Sequence, residues 1–108
     1  MDIYDYCTQG GKNLILEYID ALPKAQRLEL YAIREEIREH GMDAFEKLVT
    51  RQLRGKLWEI KASQTRIMYV LINRDGVVFL HICKKQKGKA EKQELETAIR
   101  RGKAEGVL

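Results

Sequence analysis

Residues 57–85, "LWEIKASQTRIMYVLINRDGVVFLHICKK", decide the fold of this chain. Three short runs, Leu57 to Ala62, Arg66 to Asn73 and Val77 to Cys83, are rich in β-branched and aromatic residues and are separated by polar turns. Runs of this length and composition predict three strands of an antiparallel meander. Asp75-Gly76 between the last two predicts a tight hairpin turn.

The segments on either side of the meander have helical spacing. Asn13 predicts the cap of a first helix, Pro23 suits the first turn of a second, and Gly41 ends it. The apolar residues that recur at helical spacing in these two helices are Ile15, Ile19 and Leu22, then Leu30, Ile33 and Ile37. A short strand is predicted over Ile3 to Cys7, and a last helix after Gly88 with Gly102 just past its end. The predicted order is therefore β-α-α-β-β-β-α.

Length and composition favour one soluble domain over residues 1–108, because 44% of the 108 residues are hydrophobic and 33% are charged. No apolar run approaches the ~20 residues of a membrane helix, and residues 1–5 do not resemble a signal peptide. The two cysteines, Cys7 and Cys83, are isolated. We therefore expect a cytoplasmic protein with no membrane contact, cofactor or small-molecule ligand.

The positive charge is concentrated in the second half of the chain. Residues 1–50 carry 6 Lys/Arg and 10 Asp/Glu, a net charge of −4, whereas residues 51–108 carry 14 and 6, a net charge of +8. This asymmetry indicates a polyanionic partner. We expect nucleic acid before membrane, because no basic amphipathic anchor with aromatic residues on its apolar face is present.

Five lysines between positions 84 and 92 follow the last strand directly. With Asp75-Gly76 as a two-residue turn, Arg66 would pair with Lys85, and with a three-residue loop it would pair with Lys84. Like charges placed opposite one another repel, so either register predicts an anion between them, with Lys61 able to join. The alternative is that these lysines protect the end of the sheet and keep the protein soluble.

The remaining candidates each have a structural alternative. Glu59 could be a general base, or it could form a salt bridge with Lys61 or Arg66. Tyr69 could stack on a base, or it could be a core or rim aromatic residue. Glu59 stands alone among the strands and Asp75 is used by the turn, so no cluster of carboxylates predicts a metal site.

The two histidines are predicted to be structural. His40 stands beside Gly41 at a helix end, where it would interact with the helix dipole. His81 lies within a strand, where packing or a cross-strand contact, for example with Tyr69, is the expected role.

Three segments appear in a distinctive order: "LRGKLWEIK" at 53–61, "RIMY" at 66–69 and "KKQK" at 84–87, before a helix with recurring Glu and Ala. This pattern resembles the phage-derived, HigB-like branch of the RelE/ParE superfamily of toxins in type II toxin–antitoxin modules, and the helical hairpin also fits. The resemblance implies a RelE-like α+β fold, in which an N-terminal strand and a helical hairpin pack on a twisted antiparallel sheet with a C-terminal helix.

The resemblance also implies a ribosome-dependent mRNA endonuclease whose partners are a cognate antitoxin and mRNA on the 70S ribosome. Carried over by position, Arg66 would contact the scissile phosphate and Lys84 and Lys85 would form the basic strand end. Lys61 stands where the family often has arginine, and a lysine cannot make a bidentate phosphate contact. The predicted catalytic residues are Arg66, Lys84, Lys85 and Glu59, and the predicted RNA-binding residues are Lys56, Lys61, Tyr69, Lys87 and Lys89. Cleavage would use the substrate 2′-hydroxyl and no metal.

Two alternative functions are compatible with the same fold. A ParE-like protein would inhibit DNA gyrase by binding it, without cutting RNA. A non-catalytic nucleic-acid-binding protein would need neither activity. The fold by itself does not distinguish these functions.

Overall fold

The computed structural model describes residues 1–108 and confirms the predicted α+β architecture. In chain order the elements are β1 (Asp2–Asp5), α1 (Leu14–Asp20), α2 (Lys24–His40), α3 (Met42–Lys47), β2 (Val49–Arg54), β3 (Leu57–Ala62), β4 (Thr65–Asn73), β5 (Gly76–Lys84) and α4 (Gly88–Ala104). No helix combines the length and the apolar character that a membrane span requires.

The five strands form one sheet in the order β1-β5-β4-β3-β2. The predicted antiparallel meander is confirmed for β3, β4 and β5. β1 is shorter than the predicted Ile3 to Cys7 and pairs in parallel with β5. The three helices that follow carry the chain from β1 at one edge of the sheet to β2 at the other edge. Cys7 lies beyond β1 and bridges Asn13, whose Oδ1 accepts a hydrogen bond of 2.9 Å from the backbone N–H of Leu16 and caps α1 as predicted.

Each face of the sheet is covered by helices. The larger core lies under α1, α2 and α3 and includes Phe79 and Ile67, which are fully buried. The smaller core lies under α4, where Leu80 and Val70 contact Ala98 of the helix. α4 covers only part of its face, so the ends of β3, β4 and β5 beyond it hold charged side chains.

Two elements, α3 and β2, were not predicted from the sequence. α3 is only six residues long, and Gly41 at its start has a φ of 58°, a left-handed conformation that allows the chain to leave α2 and begin a new helix at once. β2 is an edge strand with polar residues on both faces, so it lacks the apolar run of a central strand. Its apolar residues, Val49 and Leu53, are separated by polar residues on both faces, so the sequence carries no alternation that would have revealed it.

The register of the β4–β5 hairpin differs from both predicted registers. Arg74 and Asp75 form the turn, and the Oδ1 atom of Asn73 accepts a hydrogen bond of 2.8 Å from the backbone N–H of Asp75. This turn begins one residue earlier than predicted and pairs residues whose numbers sum to 149, so Arg66 lies opposite Cys83 and not opposite a lysine. The two irregularities along the ladder shift the pairing in opposite directions and cancel before Arg66 is reached. The lysine that does pair with Arg66 is Lys61, on the other neighbouring strand.

A buried ion pair ties β1 to α2. The two terminal nitrogens of Arg34, Nη1 and Nη2, donate to the Asp5 carboxylate at 2.7 Å and 2.9 Å. The side-chain amide of Asn13 donates to the same carboxylate at 3.0 Å. The two charged side chains are only 6% exposed. The pair with Arg34 explains why β1 can end in a buried aspartate, Asp5.

α4 continues past the glycine that was predicted to follow it. Gly102 is buried within the helix, where a Cβ atom would collide with the side chain of Leu108. The prediction that Gly102 terminates the helix was therefore wrong. This glycine instead allows Leu108 to fold back and pack against the helix.

Candidate anion-binding site

A pocket opens on the α4 side of the sheet, where β3, β4 and β5 reach beyond the helix. Five basic and three acidic side chains line it, together with Met68, Cys83 and Gln86. The basic residues are Arg51, Lys61, Arg66, Lys85 and Lys87, and the acidic residues are Glu59, Glu91 and Glu94. We refer to this set of residues as the basic pocket.

Arg66 and Lys61 face each other across neighbouring strands in the basic pocket. The Nη1 atom of Arg66 donates to the carbonyls of Ser63 at 3.2 Å and Thr65 at 3.0 Å, which anchors one side of the guanidinium to the β3–β4 turn. Ser63 adopts a φ of 54°, which is uncommon for a residue with a side chain. The other guanidinium nitrogens make no hydrogen bond within the protein, so Arg66 is held in place with donors still available.

Arg51 is shared by two carboxylates on the opposite wall. Its Nη2 atom lies 2.9 Å from Oε1 of Glu91 and 2.9 Å from Oε1 of Glu59. The hydrogen bond goes to Glu91; the N–H does not point at Glu59, whose buried Oε1 has no hydrogen-bond donor. The hydrogen bond to Glu91 is the largest cause that raises the pKa of Arg51 above its ordinary value. Burial opposes this rise, and the charge of Glu59 adds to it.

A cluster of three side chains, His81 of β5 with Glu94 and Arg101 of α4, joins the helix to the strand beside the basic pocket. The Nε2 atom of His81 is 3.0 Å from Oε2 of Glu94, and its Nδ1 atom is 3.0 Å from Nη1 of Arg101. Burial is the main cause that lowers the pKa of His81. Burial, followed by the neighbouring Glu94 carboxylate, raises the pKa of the Cys83 thiol well above its ordinary range. His81 lies opposite Met68, so the predicted contact with Tyr69 was wrong.

Arg101 is itself fixed from two further directions. Its guanidinium carbon lies 4.7 Å from the centre of the Tyr6 ring, and its Nη1 donates to the carbonyl of Leu80 at 3.1 Å. Neither Glu94 nor Arg101 was singled out from the sequence. Both lie on a helix rich in charged residues, and only its docking on β5 distinguishes them from their neighbours.

The structure brings together five of the residues singled out from the sequence: Arg66, Lys85, Lys61, Lys87 and Glu59. Glu59 does form a salt bridge, but with Arg51 and not with Lys61 or Arg66. Arg51 escaped the sequence-based analysis because β2 was not recognised.

Lys84 does not belong to the basic pocket, contrary to its predicted place beside Lys85. Successive residues of a strand point to opposite faces, so Lys84 lines a groove with Tyr18 and Leu22 on the other side of the sheet. A second groove that Lys84 lines at the strand end also reaches Glu94. Lys85 continues past the strand on the pocket side, where its backbone N–H donates to the carbonyl of Gln64 at 2.7 Å. The basic strand end is therefore split between two faces.

Three predicted RNA-binding residues also lie outside the basic pocket. Tyr69 is 3% exposed in the larger core with its ring centre 5.0 Å from that of Phe45, so the predicted stacking on a base does not fit its position. Burial raises the pKa of Tyr69 to about 12. Lys56 precedes β3, at the opposite end of that strand from Lys61, and Lys89 is exposed in the first turn of α4.

Comparison with protein families gives a match over residues 17–103 to the family described as phage-derived protein Gp49-like (DUF891). No curated protein sequence matches the chain. The matched range begins within α1 and ends within α4, so it includes β2 to β5 and every residue that lines the basic pocket. Because the match spans most of the 108 residues, this chain belongs to the phage-derived Gp49-like family, a family of RelE-like toxins.

Proposed function

We propose that this protein is the toxin of a type II toxin–antitoxin module and that it cleaves mRNA on the translating ribosome. A single observation carries the proposal: Arg66 and Lys61 are paired directly across the sheet inside the basic pocket. Like charges in that position destabilise a sheet, so the arrangement makes physical sense when an anion lies between them. An RNA phosphodiester supplies such an anion.

Arg66 and Lys85 are the residues that would hold the scissile phosphate. Arg66 is anchored by two carbonyls and keeps free N–H groups, which suits a bidentate contact with phosphate oxygens. Such preorganised donors stabilise the negative charge that develops on the non-bridging phosphate oxygens during attack. Lys61 and Lys87 add positive potential at the pocket and would steer the RNA toward it.

The substrate's own 2′-hydroxyl is the proposed nucleophile. Attack by this group leaves a 2′,3′-cyclic phosphate on the upstream fragment and a free 5′-hydroxyl on the downstream fragment. Two of the pocket carboxylates, Glu59 and Glu91, are already paired with Arg51, so the pocket does not offer the clustered free carboxylates of a two-metal nuclease. Cleavage is therefore proposed to be independent of divalent metal.

The proposed partners follow from the same family membership. An antitoxin would bind the protein and keep it inactive, and the substrate would be mRNA in the A site of the 70S ribosome. The net charge of +8 over residues 51–108 supports an approach to a surface dense in RNA phosphate.

Programmed ribosome complexes with a defined A-site codon test the proposal. Wild-type protein should cleave the mRNA, and Arg66→Ala should lower the single-turnover rate by about 10²–10³-fold. Arg74→Ala is the matched control, because Arg74 lies in the β4–β5 turn at the far end of the same strand. A single 2′-deoxy substitution at the scissile position should abolish cleavage by the wild-type protein.

Two results would contradict the proposal. Full-rate cleavage of the 2′-deoxy substrate, or a 5′-phosphate product, would exclude attack by the 2′-hydroxyl. Growth arrest with intact mRNA and accumulating DNA damage would instead favour the ParE-like gyrase inhibitor.

A further inference from the structure

Glu94 is the one carboxylate of the basic pocket that has no lysine or arginine partner. Glu59 and Glu91 both pair with Arg51, and the Glu59 side chain is only 3% exposed. The Glu94 side chain is 26% exposed, and its only ion-pairing partner is His81. The Glu94 carboxylate can therefore be reached from the pocket, and it is not paired with a lysine or arginine.

The position of Glu94 is controlled by two residues behind it. Arg101 has only N–H donors, so its contact with Nδ1 of His81 requires that Nδ1 accept the hydrogen bond. A neutral imidazole then carries its proton on Nε2, the atom that faces Oε2 of Glu94. Arg101 thus selects the tautomer in which His81 donates to Oε2 of Glu94. The Cys83 thiol is the other group beside this carboxylate, and Oε1 receives no nitrogen or oxygen donor from the protein.

The same geometry disfavours a metal ion at this cluster. His81, Cys83 and Glu94 each place one ligand atom within 4.8 Å of the others, a donor set that zinc accepts. A metal-binding histidine must offer an unprotonated nitrogen, and its other nitrogen normally donates to an acceptor. Arg101 provides no acceptor, and it directs the proton to the nitrogen that would have to bind the metal.

From this arrangement we infer that Glu94 is the general base of the proposed reaction and that His81 and Arg101 are the positioning residues that aim its free oxygen into the pocket. The inference rests on the proposed function and assigns a role that Glu59 was predicted to fill. Glu59 is poorly suited to that role because it is buried and its approach is occupied by Arg51.

In the proposed step, Oε1 of Glu94 takes the proton of the substrate 2′-hydroxyl as the 2′-oxygen forms its bond to phosphorus. The bond from phosphorus to the 5′-oxygen breaks, and the leaving oxygen takes a proton from the ammonium group of Lys85. Arg66 holds the non-bridging oxygens throughout. Solvent then returns one proton to Lys85 and removes one from Glu94, so the protein is restored without any other reactant.

Single-turnover cleavage of mRNA on programmed ribosomes tests the inference with Glu94→Gln and its matched control Glu96→Gln. The Glu94→Gln side chain keeps an oxygen that accepts from His81, whereas Glu96 lies two residues along the same helix and is exposed. We expect Glu94→Gln to lower the rate by about 10²–10⁴-fold and Glu96→Gln to lower it by less than about 3-fold. Ribosome binding should be unchanged in both.

The dependence of the rate on pH separates a base from a purely structural residue. Without its base, the Glu94→Gln reaction should rise about tenfold per pH unit between about pH 6 and 9, because hydroxide must then remove the proton, while the wild-type profile stays flatter. Two parallel profiles would overturn the assignment. Because both are measured on folded protein with confirmed ribosome binding, a change in slope cannot come from unfolding.

Other outcomes are equally decisive. If the wild-type protein cleaves and Glu94→Gln retains its rate, the role of Glu94 is refuted while the proposed function stands. If the wild-type protein cleaves nothing, the proposed function fails and this inference fails with it. Tight binding of Zn²⁺ alone that is lost in Cys83→Ser would show a metal site at this cluster and overturn the assignment.

Discussion

Two carboxylates on strands of this sheet are paired with arginines, but the two pairs differ in completeness. Asp5 receives two hydrogen bonds from Arg34 and a third from Asn13, and Phe79 packs against the guanidinium at 5.6 Å. Glu59 is equally buried, yet Arg51 approaches it without a directed hydrogen bond and remains 45% exposed. The first pair is closed to solvent and holds the fold together, whereas the second faces a pocket and leaves part of its bonding capacity unused.

The difference shows how one sheet can provide both a core and a binding site. Hydrogen bonds to every oxygen of a buried carboxylate offset much of the cost of desolvation, and the Asp5–Arg34 pair, which has them, lies against the larger core. Charges that are incompletely satisfied stay at the border of the smaller core, where a ligand can still reach them. The side of the sheet that α4 leaves uncovered is therefore the side suited to bind an anion.

Breaking the closed pair should have the largest effect. Asp5→Ala leaves Arg34 buried and charged without its partner, so we expect the free energy of unfolding to fall by about 3–5 kcal/mol. Urea denaturation measures this change. Glu35→Ala, which removes an exposed pair with Arg38, is the control and should cost less than about 1 kcal/mol. Similar losses for both variants would show that burial does not distinguish the two kinds of pair.

The open pocket should be sensitive to only one of two neighbouring lysines. Lys85→Ala removes a cation from the basic pocket and should lower the cleavage rate by about 10–100-fold. Lys84→Ala acts on the opposite face of the sheet and should change the rate by less than about 2-fold, although its charge is the same. Equal effects in a ribosome cleavage assay would mean that the lysines act only through net charge.

Acid should weaken the contact between α4 and the sheet at His81. Burial is the main cause that lowers the pKa of His81 below that of the unfolded chain. The Glu94 carboxylate opposes this shift, whereas the charges of Arg101 and Arg100 add to it. As pH falls below about 6.5, the unfolded chain takes up the proton first, so stability declines by at most about 1.4 kcal/mol per pH unit and levels off below the folded-state pKa.

Denaturation measured at several pH values tests this dependence. His81→Gln should flatten the decline, and His40→Gln, at the exposed end of α2, should leave it unchanged. If His81→Gln keeps the full decline, another group is responsible.

The smallest effect is expected when the open pair is broken. Glu59→Gln removes a buried charge but leaves Arg51 exposed and still paired with Glu91, so the free energy of unfolding should change by less than about 1 kcal/mol. Thermal and urea unfolding measure the change. A loss as large as that of Asp5→Ala would show that the Glu59–Arg51 pair is structural and remove the contrast between the two pairs.

Much of the fold could be predicted from the sequence because its signals are local. The apolar runs predicted β3, β4 and β5, and Asn13 predicted the cap of α1. The edge strand β2 and the six-residue α3 escaped because short elements with mixed polarity resemble loops. The site was predicted in part for a similar reason: Arg66 is conspicuous as a charge within an apolar run.

The sequence by itself determined the class of fold and the location of the positive charge in the second half of the chain, and it singled out Arg66 as a candidate site residue. Tertiary structure decided which cation meets Arg66, because the β4–β5 turn is formed by Arg74 and Asp75 and not by Asp75 and Gly76, which places Cys83 opposite Arg66 on β5 and leaves Lys61 on β3 as its paired cation. It also decided that Lys85 and not Lys84 lines the basic pocket, and that His81 contacts Glu94 at its edge. Periodicity and capping act over a few residues and can be read from the chain, whereas register shifts and helix docking depend on packing between residues that are distant in sequence.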